Sequence, residues 1–167
     1  TPEPNPTPEP SPTSEPTPAA VGQLFSWIST GIRGACEASP RDTIDDSIAE
    51  ARCAVDGGMT RGYALFEDED DLEDAYEDIR GDMEGGDGIC PSALPSEERW
   101  YYSDTPEITR GFLLCYLDDQ QQPWLVMTAE HARTLSWISR SEGSTATMAD
   151  LLVAFQQEAG VLPQPVP

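Results

Sequence analysis

The sequence predicts an α+β fold, a two-layer domain in which a mainly antiparallel sheet carries helices on one face. Three observations lead there. Apolar residues alternate with period two in several segments, and in three others they recur at helical spacing. The two kinds of segment follow the order α-β-β-α-β-β-β-β-α. Four cysteines in a chain of low cysteine content add two disulfides to the expectation.

Residues 19–30 carry Leu24, Trp27 and Ile28, with Ile32 beyond, an amphipathic helix ended near Gly31. A turn-rich stretch around Cys36 and Pro40 follows. In residues 47–55, Ala49, Ala51, Cys53 and Val55 line one face of a strand, while Ile48, Glu50 and Arg52 line the other. Asp56-Gly57-Gly58 turns the chain into a partner strand over residues 60–66. Asp68 caps the next helix with Asp71 three residues on, and Leu72, Ala75, Tyr76 and Ile79 form its buried stripe. Residues 81–95 read as a loop containing Cys90. Strands follow over 100–102, 110–117, 124–128 and 134–139. The segment 110–117 has apolar residues on both faces, which marks a central strand of the sheet. A last helix over 147–159 buries Met148, Leu151, Leu152 and Phe155.

The ends differ in kind from this domain. Prolines stand at positions 2, 4, 6, 8, 10, 12, 16 and 18, which fixes φ and favours extended geometry. Residues 1–19 therefore read as a disordered polyproline II stalk, its first eighteen residues spanning about 55 Å. The domain covers 20–160, and 161–167 form a disordered tail. Thr1 is not Met, so the expectation is a chain cut from something longer or the mature part of an exported one.

Thirty-one acids against nine arginines and no lysine leave a net charge of −22. That balance repels nucleic acids and anionic membrane surfaces, and the missing lysine excludes Schiff-base and P-loop lysine chemistry. Residues 67–87 hold twelve acids and one arginine. No run of about 20 apolar residues is present to span a membrane.

Cys36, Cys53, Cys90 and Cys115 form no C-x-x-C pair, and His131 is the lone histidine, which disfavours zinc. Three disulfide connectivities are open, of which sequential pairing, Cys36–Cys53 and Cys90–Cys115, is preferred. Two disulfides and the stalk together favour an extracellular or cell-envelope location.

The stretches Ile32-Arg33-Gly34-Ala35-Cys36, Ala51-Arg52-Cys53 and Tyr63-Ala64-Leu65-Phe66 precede the acidic helix with Leu72, Ala75 and Tyr76. After them come the Cys90 loop leading to Trp100, then Gly111-Phe112-Leu113-Leu114-Cys115-Tyr116 and the strand beginning at Trp124. In these residues the chain resembles the extracellular C-terminal domain of actinobacterial-type transmembrane Ser/Thr protein kinases and related secreted or anchored bacterial proteins. It departs from them at Leu151-Leu152-Val153-Ala154-Phe155, where a tryptophan-rich ending is expected. The resemblance implies a sensor domain on the outer side of the cytoplasmic membrane, binding an extracellular ligand or envelope component, with any kinase domain upstream.

Catalysis is not expected. The kinase motifs are absent, and His131 with Ser136, Ser139 or Ser141 makes no G-x-S-x-G arrangement. No cofactor is expected either. The one cation weighed is calcium, through Asp82, Glu84, Asp87 and Gly88 in a glycine-rich loop. For ligand binding, the consecutive Trp100, Tyr101 and Tyr102 cannot all be buried on one strand face, and exposed aromatics suit sugar rings or peptides.

Overall fold

In the computed structural model, residues 15–41, 43–81, 83, 89–101, 105 and 107–159 are described. Most of the proline stalk and the tail lie outside them. Pro18 instead opens the first helix, α1 (Pro18–Trp27), because its fixed φ and missing N–H suit the first helical position. Thr17 caps it, its Oγ1 accepting from Ala20 N at 3.2 Å. The chain leaves helical geometry at Ile28 and re-enters for a single turn, α2 (Thr30–Arg33), capped by Ser29. Leu24, Ile28 and Ile32 are all buried despite the break.

An edge strand, β1 (Cys36–Ser39), follows where the sequence reads as a turn. β2 (Ala49–Val55) and β3 (Met59–Leu65) form the expected hairpin, closed by a three-residue loop. Gly57 and Gly58 have φ of +81° and +72°, and a Cβ on Gly58 would lie 3.0 Å from Ser144 Oγ. α3 (Glu69–Arg80) begins at Asp68, whose Oδ1 accepts from Asp71 N at 3.0 Å. After it come β4 (Ser96–Trp100), β5 (Gly111–Leu117), β6 (Pro123–Ala129), a 3-10 turn (Glu130–Ala132), β7 (Thr134–Arg140) and α4 (Met148–Ala159). The order of elements is the expected one with α2 and β1 inserted.

The seven strands form one antiparallel sheet ordered β1-β2-β3-β7-β6-β5-β4. Register decides what each face carries. Ala49, Ala51, Cys53, Met59, Tyr63 and Leu65 share a face with Leu125, Met127 and Ile138, and onto it pack α1 and α4. Ala64, Leu114, Val126, Leu135 and Trp137 point the other way and meet Leu72, Ala75 and Tyr76 of α3. Two layers account for α1 and α4, while α3 adds a third, partial layer on the face expected to be bare. The reason lies in β3, β5 and β7, which carry apolar side chains on both faces.

Both disulfides pair sequentially, Cys36–Cys53 and Cys90–Cys115. The first joins directly opposed residues of β1 and β2, with Cα atoms 3.9 Å apart. The second ties the segment before β4 to β5. Such bridges fit an oxidising compartment. Among the described residues, no helix is long and apolar enough to cross a membrane.

Candidate functional site

A groove of about 810 Å³ opens on the α1/α4 face, between α2 and the N-terminal half of α4. Its floor is the β2–β3 hairpin, with Val55 and Met59; its walls are Ile32 and Ala35 on one side and Val153 and Ala154 on the other. Hydrogen bonds tie the loop between β7 and α4 to the hairpin turn. Ser141 N donates to Gly58 O at 2.8 Å, and Ser144 Oγ donates to Gly57 O at 3.3 Å. Val153 is 53% exposed, a large apolar side chain left facing the opening.

Asp56 and Asp150 are the acids among the lining residues. The Thr147 hydroxyl and backbone N–H donate to Asp150 Oδ2 at 2.6 and 2.8 Å, and these two bonds hold its carboxyl below the usual range. Its charge is thus fixed at the start of α4, where a carboxylate also suits the helix dipole. Apolar walls with negative charge among them favour a ligand having an apolar body and a positive group.

None of these residues was singled out in the sequence as a site, yet one signal was present. Leu151 to Phe155 are five consecutive apolar residues, and five successive helical positions sweep the whole circumference. One face can bury only part of such a run. Leu151, Ala154 and Phe155 are buried, leaving Val153 outward.

The expected aromatic site is divided. Trp100 is half-buried, packs against the core under α4, and donates from Nε1 to Thr128 O at 2.7 Å. His131 stands edge-on between Trp100 and Trp27, with ring centroids 6.3 and 5.8 Å away. Burial, with the Arg110 charge second, pushes its imidazole below the ordinary histidine range. Tyr101 is 55% exposed. Tyr102 lies outside the described residues, as do Asp82, Glu84, Asp87 and Gly88 of the calcium loop. Among the described residues no group of three or more His, Cys, Asp or Glu side chains is placed to hold a metal ion.

Two charged residues have packing roles that the sequence concealed. Arg61 is 2% exposed, its guanidinium 5.1 Å from the Tyr63 ring centroid and 4.8 Å from that of Phe155, which links β3 to α4. Glu50 is fully buried, and its Oε1 accepts from Thr43 N, Ile44 N and Ser47 Oγ.

Comparison with protein-family models, curated proteins and solved structures returns no match.

Proposed function

We propose that this chain is a non-catalytic ligand-binding domain working outside the cytoplasmic membrane, and that its groove takes an apolar ligand bearing a positive charge. The groove between α2 and α4 carries this reading. Its volume of about 810 Å³ falls in the range of small-molecule sites, and its lining sets apolar side chains such as Ile32, Val55, Met59 and Val153 beside polar ones. The net charge of −22 draws cations towards it. The groove's polar side chains, Ser29, Asp56, Thr145 and Asp150, orient a ligand.

The two disulfides and the proline-rich stalk support display beyond a membrane. The resemblance to transmembrane Ser/Thr kinase ectodomains supports a sensor whose occupancy is transmitted by clustering or occlusion. A stand-alone secreted or wall-associated protein would use the same groove.

Octylammonium and octanoate, matched in apolar length and opposite in charge, test the reading below their micellar concentrations. Octylammonium at ten times its Kd raises the melting temperature by about 4 °C, and octanoate does not. Val153→Lys, an exposed position, abolishes the response. Equal responses to both probes, or an undiminished response in Val153→Lys, would overturn it.

A further inference from the structure

The opposite face holds a second arrangement, independent of the groove. Register sets Tyr116, Trp124, Ser139 and Thr60 in one row across β5, β6, β7 and β3, near the β5–β6 and β2–β3 turns. At a strand spacing of about 4.8 Å the row is about 14 Å long. Tyr116 and Trp124 have nearly parallel rings, 12° apart in plane with centroids 6.4 Å apart, and both are partly buried at the margin of the core on the α3 side. Thr60 Oγ1 lies 2.9 Å from Ser141 Oγ, which extends the row by one hydroxyl.

The indole is fixed in place before anything binds. Trp124 Nε1 donates to Asp118 Oδ2 at 3.0 Å, while Asp118 Oδ1 accepts from Gln120 N and Gln122 N at 2.9 and 2.8 Å. Both carboxylate oxygens are thereby occupied, and the Arg140 charge acts on the same carboxyl. The row itself contains no charged side chain.

We propose that this row is a binding strip for a neutral glycan. Electrostatics selects the occupant: a surface of net charge −22 repels polyanions, and the row itself, Tyr116, Trp124, Ser139, Thr60 and Ser141, holds no carboxylate to pair with a cationic peptide. A neutral chain of pyranose rings meets no such penalty. Its apolar C–H faces match the Trp124 and Tyr116 rings, and its hydroxyls match Thr60 and Ser141, each able to donate or accept, while Ser139 between them is buried. A fixed indole loses little freedom on binding, which favours affinity at a small site.

Isothermal titration of the full chain with cellohexaose and chitohexaose tests the proposal, with a heparin hexasaccharide and hexa-arginine as charged controls. At least one neutral hexaose binds, and octylammonium in the groove leaves that binding unchanged. Trp124→Ala weakens binding about tenfold, and Thr60→Val with Ser141→Ala about threefold. The hydroxyl variants preserve shape, so they remain readable if Trp124→Ala fails to fold. The proposal is overturned if neither hexaose binds, if binding is undiminished in the hydroxyl variants and in any folded Trp124→Ala, or if hexa-arginine binds in their place.

Discussion

Glu50 offers a sharp test of how the third layer is held. Its Oε1 collects Thr43 N at 3.3 Å, Ile44 N at 3.2 Å and Ser47 Oγ at 3.0 Å, so one oxygen anchors the segment between β1 and β2. Ile44 of that segment packs with Trp137 and Phe66 against the α3 side. Glu50→Ala strips the partner from two backbone donors and a hydroxyl. At about 1 kcal/mol or more for each donor left without an acceptor, the loss comes to about 3 kcal/mol. Glu50→Gln keeps an oxygen for all three donors. It replaces Oε2, which is buried without a hydrogen-bond partner among the described residues, by an NH₂ group. Ser39 Oγ, also buried without a partner among the described residues, belongs to the residue directly opposite on β1 and is a natural acceptor. Glu50→Gln should therefore lie within about 1 kcal/mol of the parent. Urea unfolding with the disulfides intact measures both, read as the midpoint shift at constant slope. Equal destabilisation by Gln and Ala would refute the reasoning, because the acceptor oxygen would then not be what matters.

Other expectations follow from single contacts. A Cβ on Gly62 would fall 2.0 Å from Trp137 Cζ2, so the indole lies directly on the β3 backbone, and Gly62→Ala should cost about 3 kcal/mol and alter the near-UV circular dichroism. A parent-like spectrum and melting temperature would contradict that packing. His131 gives a pH dependence. Its folded pKa lies below 6.5, so the unfolded chain takes up the proton first, and stability falls as pH drops from about 7 through 6.5 towards the folded value. Glu130, raised by burial and then by Glu69 and Glu73, acts in the opposite sense at lower pH, so His131→Asn against the parent isolates the histidine. A pH profile between 7 and 5 unchanged in His131→Asn would contradict the assignment.

Elements with strong periodicity were legible because local pattern and burial agree in them. The α3 stripe of Leu72, Ala75 and Tyr76 and the two-faced β5 lie where period and burial predict. β4 was displaced, since Ser-Glu-Glu-Arg-Trp has no apolar alternation to read. Its charges are used across space instead. Glu97 Oε1 accepts from Tyr76 Oη at 2.7 Å and pairs with Arg80 Nε at 3.1 Å, while Glu98 Oε1 accepts from Cys90 N at 3.0 Å. β1 was missed because a four-residue edge strand carries almost no signal, and its pairing is secured by the Cys36–Cys53 bridge. Glu50 alternates with apolar neighbours as a solvent-facing residue would, and only the segment folded over it makes it interior. The groove joins α2, the β2–β3 hairpin and α4, which lie about a hundred residues apart in sequence. Short-range pattern shows one wall of it, the apolar run ending at Phe155.

The most direct test of the binding role is a methyl-resolved NMR titration of the full chain with octylammonium. The account predicts saturable shifts concentrated on the methyls of Ile32, Val55, Met59 and Val153, with those of Leu72 in α3 and Leu135 beneath it unmoved. Shifts spread evenly over both faces, or none at concentrations that raise the melting temperature, would contradict it.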